Sequence, residues 1–409
     1  MMAFNGTLWN QLPLEVLEQI LSFLPMPDLC RYYTTCKTWN ELIKNPAFSV
    51  LHVRNRNKHS PFIAIHSIST SIRNGHRRYM DGSQVMCFLD ISSKKWYSMK
   101  FHDALKTSFL FDHRHFRILA MDGGLMLLKA LTRASKSCHH ESGCTQLCVW
   151  NPIKDMKIKL PCVTNHKSDS LINFVVDDIA ETFKVFVIRH EFGESLVVDI
   201  YDYVMKEWKT SSKLEMNNTR EIFIIQSFVF QNLLYIHCYV MNHGVDEDYE
   251  LWRYNHLADI WERLHFTEGI YVERDYTQYR WQFIVSGERL FVMCERQWPI
   301  SHDVFEVHEI DIQSRATKVL LKWTKTHIMT IFGIDVKYYN YNLHIYGVGF
   351  NKSLILVSSL SRNVVIFDVE TKKTNFEWPQ LPLRKLRVEK ESYSFIGKQM
   401  DFLLPGTLK

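Results

Sequence analysis

The hydrophobic pattern begins as that of a helix and changes to that of strands after about residue 50. Four leucines recur at steps of three or four residues and therefore share one face of a helix: Leu14, Leu17, Leu21 and Leu24. Pro13 is compatible with the first turn of this helix, where its missing N–H would have no partner anyway. Pro25 ends the helix, because proline cannot donate the next backbone hydrogen bond.

Two further short helices are predicted before residue 50. Pro27 and Asp28 suit the first turn of the second helix, since a carboxylate there favours the positive end of the helix dipole. The third helix runs from about Cys36 to Ile43. Three helices in so short a segment cannot bury all of this apolar surface among themselves, because units below about 40 residues rarely fold alone. The remaining surface is expected to pack on the rest of the chain or on a partner protein.

The stretch LPLEVLEQILSFLPMPDLCRYYTTCKTWNELI, residues 12–43, resembles the F-box, the adaptor-binding motif of ubiquitin-ligase receptor subunits. Both prolines, the aliphatic spacing and the terminal CKTW agree with that motif. The resemblance implies that residues 1–50 bind a Skp-type adaptor, which is held in turn by a cullin. The adaptor contacts that it implies are Leu12, Pro13, Glu15, Val16, Ile20, Leu24, Pro25 and Leu29. The sequence does not separate such contacts from residues that hold the three helices together.

A second pattern recurs through the rest of the chain. Each copy is an alternating apolar run that ends in Asp or Asn and precedes a turn, and the six copies end at Asp90, Asn151, Asp202, Asn255, Asp311 and Asp368. In three copies a tryptophan follows six residues later, at Trp96, Trp208 and Trp261. The unit is predicted to be a hairpin in which the Asp or Asn side chain starts a turn by binding nearby backbone. The tryptophan on the return strand is expected to pack into the core.

Successive copies are 51 to 61 residues apart. Repeats of this length, with room for four strands and no crossover helix, are typical of β-propeller blades. The repeats are similar to the kelch-like propellers that follow an F-box in plant proteins, and VWNPIKDMKIKLP (149–161) resembles the associated-domain motif of that group. We therefore predict a mainly β protein: an F-box at 1–50, a linker at 51–61 and a kelch-like propeller at 62–409. Six blades are expected, with five or seven left open by the degenerate repeats.

One uncharged segment, IFIIQSFVFQNLLYIHCYV (222–240), could be mistaken for a membrane span. A span needs about 20 mostly apolar residues, and here polar side chains interrupt the run. Two buried strands joined at Gln231-Asn232 fit better. No membrane contact is therefore predicted.

Composition and charge limit the kinds of partner and the cellular compartment that the sequence predicts. The net charge is only +5 and no large block of like charge occurs, so no nucleic-acid partner is predicted. Nine scattered cysteines, with no secretory leader at the start of the sequence, indicate free thiols in a reducing compartment. The protein is therefore expected in the cytoplasm, the nucleus or both.

No catalytic or cofactor motif stands out. The densest set of potential metal ligands, CHHESGCTQLC (138–148), lacks paired zinc-ligand spacing, so an exposed loop is predicted and neither a metal nor another cofactor is expected. Phosphate-binding loops and nucleophile elbows are absent from the sequence. Two aromatic-rich stretches, 271–283 and 336–346, are the candidates for client contact, although half of their side chains are expected to face inward. The candidate residues are Tyr276, Tyr279, Arg280, Tyr339 and Tyr341.

The sequence thus predicts a non-catalytic, substrate-recognition subunit of a Skp–cullin–F-box ubiquitin ligase, with the propeller binding a protein client. Two alternatives stay open. One is a propeller enzyme in which the helices merely dock onto the body. The other is an F-box scaffold that joins the adaptor without delivering a client for degradation.

Overall fold

The computed structural model describes the greater part of the 409-residue chain. The described residues are 12–24, 26–33, 35–45, 47–48, 51–52, 55, 62–67, 70–73, 76–79, 85–90, 94–100, 116–122, 125–130, 146–151, 156–162, 171–177, 182–191, 195–215, 220–242, 247–265, 278–297, 304–334, 345–350, 352–358, 361, 363–380 and 399–400.

Among the described residues, three helices precede the strands and a fourth lies between two of them. They are α1 (Leu14–Ser22), α2 (Met26–Tyr33), α3 (Lys37–Lys44) and α4 (Lys325–Phe332). The first three match the helices predicted for the F-box-like stretch. We call residues 12–55 the helical unit.

The strands follow in chain order. They are β1 (Phe62–Ser67), β2 (Thr70–Arg73), β3 (His76–Tyr79), β4 (Val85–Asp90), β5 (Lys95–Lys100), β6 (Phe116–Asp122), β7 (Leu125–Ala130), β8 (Leu147–Asn151), β9 (Met156–Lys159), β10 (Leu171–Asp177), β11 (Thr182–Glu191), β12 (Ser195–Asp202), β13 (Glu207–Thr210), β14 (Leu214–Glu215), β15 (Arg220–Phe230), β16 (Leu233–Asn242), β17 (Glu247–Asn255), β18 (Ile260–Leu264), β19 (Gln278–Ser286), β20 (Arg289–Gln297), β21 (Val304–Asp311), β22 (Ala316–Thr324), β23 (Ile345–Phe350), β24 (Ser353–Ser358), β25 (Val364–Asp368), β26 (Thr374–Asn375) and β27 (Gln399–Met400).

These strands form antiparallel sheets that follow one another along the chain. Sheet I has the order β27-β1-β4-β5, sheet II β6 to β9, sheet III β10 to β13, sheet IV β15 to β18, sheet V β19 to β22 and sheet VI β23 to β26. Strand β14 adds to sheet III by pairing with β12, and β2 pairs with β3 in a separate hairpin.

The mainly β propeller predicted from the sequence is confirmed. Among the described residues a regular four-stranded sheet occurs five times, and sheet III differs by its extra short strand. The described residues thus form five regular four-stranded blades, against the six expected. The number is six only when the five-stranded sheet III is also counted as a blade. Sheet I is built from both ends of the strand-rich region, because β27 pairs with β1 through Phe62 and Met400.

The repeated hairpin is also confirmed. Every repeat ends at the last residue of the third strand of its sheet. The backbone N–H of Val204 donates to Asp202 Oδ1 at 2.9 Å, and Thr371 N–H donates to Asp368 Oδ1 at 2.7 Å. The residue four positions after the Asp or Asn has a positive φ in five repeats: Lys94, Lys206, Asp259, Arg315 and Lys372. This left-handed residue completes the turn into the fourth strand.

Each repeat tryptophan contacts the preceding sheet. The indole N–H of Trp208 donates to the backbone carbonyl of Pro161 at 3.0 Å, and that of Trp261 donates to the carbonyl of Ser212 at 3.1 Å. Trp96 of sheet I makes the same contact with the carbonyl of Pro379, beyond the last strand of sheet VI, at 2.7 Å. The first and last sheets are therefore joined in the same way as sequential ones. These tryptophans are half-buried at the sheet boundaries rather than in the deep core.

Apolar clusters fill the spaces between neighbouring sheets. Sheets IV and V, for example, stack the rings of Phe228 and Phe283 with centroids 5.1 Å apart. Leu89 of sheet I packs with Ile355 of sheet VI in the cluster that closes the ring. Burial of such side chains contributes about 1.5–3 kcal/mol each.

Side-chain amides add polar links between the first strands of successive sheets. Gln226 accepts from the backbone N–H of Phe283 at 2.7 Å and donates to its carbonyl at 2.9 Å. Gln282 binds both backbone groups of Gly347 in the same manner, at 3.1 and 3.0 Å.

The uncharged segment 222–240 forms two strands, as predicted. Strands β15 and β16 are joined at Gln231 and Asn232, whose φ angles are 49° and 61°. Two successive positive φ angles are characteristic of a tight hairpin turn that matches strand twist. None of the described helices is long and apolar enough to cross a bilayer.

Helix α4 was not predicted. Its signals are local: Thr324 and His327 form a reciprocal capping box, and Gly333 ends the helix at φ 62°. Ile328 and Phe332 pack into the same apolar cluster as Trp323 of β22.

The prediction of free thiols holds for some cysteines and fails for another. Cys36, Cys148, Cys238 and Cys294 are free thiols, whereas Cys162 is disulfide-bonded.

Candidate functional site

The helical unit has a small core of its own. Six side chains with at most 7% exposure form it: Leu17, Leu21, Leu29, Leu42, Ile43 and Phe48. They come from all three helices and from the segment after α3, so the helices are held to one another. Tyr32 of α2 adds an edge-to-face contact with Trp39 of α3, with ring centroids 4.9 Å apart.

Local signals fix where the helices begin and end. The carbonyl of Pro13 accepts the backbone N–H groups of Val16 and Leu17, each at 3.1 Å, and this starts α1. Cys36 caps α3, because its Sγ accepts the N–H of Trp39 at 3.5 Å. Asp28 lies in the first turn of α2 and pairs with Arg31 at 3.0 Å.

The helical unit extends beyond the boundary at residue 50 that the sequence suggested. His52 is buried, and its Nε2 lies 3.2 Å from the carbonyl oxygen of Leu24. Asn55 donates from Nδ2 to Ser22 Oγ at 2.7 Å. Residues 52 and 55 therefore belong to the helical unit, although they were assigned to the linker 51–61.

Outside this core, the helical unit presents large apolar side chains to solvent. They come from the residue two before α1, from its first turn and from the residue after its end: Leu12 at 37% exposure, Leu14 at 54%, Val16 at 43% and Phe23 at 43%. We call these four residues the exposed apolar face. Several exposed apolar side chains within one short segment of an otherwise folded unit are candidates for an interaction site.

The structure separates the predicted adaptor contacts into three groups. Leu12, Pro13, Glu15 and Val16 are exposed, and Ile20 and Leu24 are half-buried. Pro25 lies outside the described residues. Leu29 is 1% exposed and lies in the core of the helical unit, so its assignment to the contact surface is corrected to internal packing.

Two members of the exposed apolar face, Leu14 and Phe23, were not among the predicted contacts. Leu14 shares a helical stripe with Leu17 and Leu21, and the stripe predicts one common face. In the structure Leu17 and Leu21 point into the core while Leu14 lies at the edge of the stripe. Phe23 lies directly after α1, where the chain leaves the helix, and this position is the sequence signal that could have indicated its exposure.

A cation–π contact links the helical unit to the sheets among the residues that the structure describes. The guanidinium of Arg31 lies over the ring of Tyr97 on β5, 5.4 Å from its centroid. This cation–π geometry is worth about 0.5–1 kcal/mol at an exposed site.

The predicted client residues can be located only in part. Tyr279 and Arg280 lie near the start of β19, opposite Arg296 and Glu295 of β20. Tyr276, Tyr339 and Tyr341 lie outside the described residues.

A row of aromatic side chains lies next to β19, on sheet IV. Phe223, Tyr239 and Tyr249 are direct cross-strand neighbours on β15, β16 and β17. Their ring centroids are 6.2 and 5.3 Å apart along the row, and Phe223 is 49% exposed. Tyr249 continues the contact to Trp281 of sheet V at 6.1 Å. We call Phe223, Tyr239 and Tyr249 the aromatic row.

His237 lies beneath the aromatic row and is fully buried between the rings of Tyr249 and Phe283. Neither of its ring nitrogens has a hydrogen-bond partner in the described part of the chain. Burial lowers the pKa of His237 to about 3, so the imidazole is neutral at physiological pH.

Glu306 lies on sheet V in the same cross-strand row as Trp281, with Cys294 between them. His308 and Lys322 approach Glu306 at 2.9 and 2.7 Å. Hydrogen bonds from these two side chains lower its pKa to about 2, so Glu306 is ionised at neutral pH.

No metal-binding group of His, Cys, Asp or Glu side chains occurs among the residues that the structure describes. Of the predicted loop 138–148, residues 138–145 lie outside that part. Cys148 is a buried residue of β8, and burial raises the pKa of its thiol to about 12.

Residues 9–49 match the protein-family model described as F-box-like. The chain carries an F-box-like domain followed by a propeller domain. The F-box-like match covers all three helices of the helical unit and ends just after its buried Phe48.

Relatives from Arabidopsis thaliana are similar to parts of the chain. F-box protein At3g22700 is 36% identical over 63 residues, which are 15% of this chain and 19% of the relative. Another F-box protein of that plant is 26% identical over 221 residues, 54% of this chain and 50% of the relative. The chain spans half or less of the length of the curated relatives it matches.

Solved structures align with the chain only at low TM-scores. The SapL1 lectin, solved in complex with alpha methyl fucoside, aligns with a TM-score of 0.42 at 10% identity, over 78% of this chain and 97% of the lectin. The β-propeller domain of the Trilobed protease from Pyrococcus furiosus aligns with a TM-score of 0.40 at 9% identity, over 78% and 86%.

Proposed function

We propose that this F-box protein is the substrate-recognition subunit of a Skp–cullin–F-box ubiquitin ligase. The F-box-like domain would bind a Skp-type adaptor, and through it a cullin, while the propeller binds a protein client. The observation that carries the proposal is the exposed apolar face. The helical unit packs its own core and still leaves Leu12, Leu14, Val16 and Phe23 at the surface.

The energetics favour a partner on this face. Covering apolar surface contributes about 25 cal/mol per Å², so four half-exposed side chains can anchor an interface. Glu15 lies at the rim and would add little, because exposed ion pairs contribute about 0–1 kcal/mol.

The proposed mechanism is positional and needs no catalytic residue in this chain. A client held on the propeller is kept near the conjugating enzyme on the same scaffold. Its lysine then reacts at a raised effective concentration, as in an intramolecular reaction. We further propose that the protein acts in the cytoplasm or the nucleus, where such ligases would meet their clients.

Capture of a purified Skp-type adaptor by the full chain tests the proposal. The variant Leu14→Asp/Val16→Asp places two charges on the exposed apolar face without touching the core. We expect it to lose adaptor capture, while wild type retains it. The matched control is Val204→Asp/Leu257→Asp, which changes two equally apolar side chains on the propeller, 67% and 78% exposed.

Equal capture by both double variants, or no capture by wild type, would contradict the proposal. Client accumulation in cells that express the Leu14→Asp/Val16→Asp variant separates a degradative receptor from an F-box scaffold, since only a receptor limits client abundance.

A further inference from the structure

We propose that the open edge of strand β22 (Ala316–Thr324) binds an extended, acidic segment of the client protein, which adds to sheet V as a further strand. This inference rests on the proposed function, because it names the chemistry of the client segment. The features that support it are the length of this edge strand, the charges of its side chains and the way in which the neighbouring carboxylates are paired.

Strand β22 lies at the end of sheet V and has an open edge. Among the described residues it pairs with β21 alone. Backbone N–H and C=O groups along such an edge are available to a further strand. The other end of the sheet differs, because Gln282 on β19 binds both backbone groups of Gly347 in sheet VI. In the described part of sheet V, β22 is therefore the edge to which a partner strand can add.

The length of β22 distinguishes it from the last strands of the other sheets. It has nine residues, whereas β5 has six, β18 has five, β9 and β13 have four each and β26 has two. Short edge strands are one way in which proteins prevent pairing with another chain. Sheet V lacks this protection, and a long edge strand offers the row of main-chain groups by which sheets bind extended peptides.

The side chains of β22 favour carboxylates in the partner. Lys318 and Lys322 are the charged residues of this strand, which contains no Asp or Glu. Both are exposed, and the side chain of Lys322 is 63% exposed. An ammonium group has three donors, so Lys322 can bind a further carboxylate while it contacts Glu306.

The carboxylates of the neighbouring strand β21 are held by other cations. Glu309 lies directly opposite Lys318, but its carboxylate pairs with Arg289 at 2.6 Å. Glu306 pairs with both His308 and Lys322, at 2.9 and 2.7 Å. Lys318 has no carboxylate partner among the described residues. The charge of its ammonium group is therefore available to a partner of opposite sign.

An irregularity in β22 exposes two successive side chains. The register shifts between Val307 and His308, so Leu320 has no direct partner on β21 and packs into the apolar cluster between sheets V and VI. Lys318 and Val319 are both exposed just before it, and Val319 is 50% exposed. Irregularities of this kind re-aim side chains and are common next to binding sites.

These side chains also decide between possible occupants of the edge. Pairing of β22 with β22 of a second copy would bring lysines of the two chains together, and like charges on paired strands are destabilising. An acidic segment has the complementary charge, and an aliphatic residue in it would cover Val319. The edge therefore complements an extended segment in which apolar residues alternate with Glu or Asp.

The probe for the test is a fluorescein-labelled peptide of alternating Val and Glu, added to the full chain and read by fluorescence anisotropy. A matched peptide replaces Glu by Gln, which keeps the shape without the charge. We expect the Glu peptide to bind about tenfold more tightly than the Gln peptide, with an advantage that shrinks as salt is added. Equal binding of the two peptides, or tighter binding of the Gln peptide, overturns the inference.

Backbone methylation tests whether the peptide pairs as a strand. Two versions of the Glu peptide carry N-methyl groups at alternate residues, one version on each edge of the extended chain. An added strand donates to β22 through one edge only, so one version should bind about tenfold more weakly and the other should bind like the parent peptide. Unchanged binding by both versions contradicts strand addition.

A charge reversal locates the site on the chain. Lys318→Glu should weaken binding of the Glu peptide by about tenfold. The control is Lys373→Glu, which reverses an exposed lysine next to the two-residue edge strand β26 and should bind like wild type. Wild-type binding by Lys318→Glu, or an equal loss in Lys373→Glu, overturns the assignment to this edge.

Hydrogen exchange followed by mass spectrometry gives a second readout that does not depend on a variant. Backbone amides of residues 316–324 should exchange more slowly when the Glu peptide is bound, whereas those of β13 should exchange as before. Unchanged exchange in 316–324 excludes pairing along β22. Protection of this strand in the absence of peptide, together with a dimer in sedimentation, would show a second copy as the occupant and overturn the inference.

Adaptor capture is measured on the same samples. A chain that captures the adaptor but does not distinguish the peptides contradicts this inference alone. A chain that distinguishes the peptides but captures no adaptor contradicts the proposed function instead.

Discussion

The indole N–H of Trp208 donates a hydrogen bond to the backbone carbonyl of Pro161, and this bond joins sheet III to sheet II. Trp261 and Trp96 repeat the contact at two other boundaries, including the one between the last sheet and the first. A repeated tryptophan therefore links neighbouring sheets at three of their boundaries.

Replacing Trp96 by Phe should lower the stability of the propeller. Phenylalanine keeps an aromatic ring but loses the donor to Pro379 O, and a hydrogen bond of this kind contributes about 0.5–1.5 kcal/mol. We expect a decrease of a few degrees in the melting temperature, measured by differential scanning calorimetry on the full chain. The comparison is Trp261→Phe, because the Trp261 indole makes the same contact with the Ser212 carbonyl at an internal boundary. A loss of stability in Trp261→Phe with none in Trp96→Phe would contradict the closing role of Trp96.

Leu29 and Leu14 should respond differently to the same substitution. Leu29→Ala removes a core side chain of the helical unit and should cost about 2–5 kcal/mol of unfolding free energy for that unit. Leu14→Ala should leave the unit folded, because Leu14 is 54% exposed, and should reduce adaptor capture instead. Urea unfolding followed by circular dichroism, alongside adaptor capture, checks both expectations. If Leu14→Ala unfolds the helices, or Leu29→Ala leaves their stability intact, the division between core and exposed face is wrong.

His237 should make stability depend on pH on the acidic side of neutrality. Its pKa is about 3 in the fold against 6.5 ordinarily, so below pH 6.5 the unfolded chain binds a proton that the folded chain does not. Stability should therefore fall as the pH drops from 6.5 towards 3, with a limiting slope of about 1.4 kcal/mol per pH unit from this residue. Above pH 6.5 the residue makes no pH-dependent contribution.

His237→Phe isolates this effect, since it keeps an aromatic ring between Tyr249 and Phe283. The difference in unfolding free energy between the variant and wild type should grow between pH 6.5 and pH 4 in urea titrations. A constant difference in unfolding free energy over that range would show that burial does not lower the pKa of His237 in the folded state.

Local chemistry explains what the sequence could predict. The turn at Asp202 and the hairpin at Gln231-Asn232 depend on residues within a few positions of each other, and both were predicted correctly. The contact between Trp208 and Pro161 was not predicted, because its partners lie 47 residues apart in different sheets. The periodicity alone could not tell that Leu17 points inward and Leu14 outward, since both lie on one stripe and only the packing of α2 and α3 separates them.

The aromatic row could not be predicted for a related reason. Phe223, Tyr239 and Tyr249 come from three strands, and their alignment depends on the register of both hairpins. The stretch 271–283 was singled out as aromatic-rich, yet its described members Tyr279 and Arg280 lie on the neighbouring strand β19. Helix α4 was missed because its β-branched residues suggest a strand, and only its caps indicate a helix.

The pairing of β27 with β1 also fixes an order of events during synthesis. The three helices leave the ribosome before the strands and, with their own core, can fold while most of the strand-rich region is still untranslated. Sheet I has to wait for Gln399 and Met400, more than 330 residues after its first strand began. The helical unit can thus be complete well before the first sheet of the propeller has all of its strands.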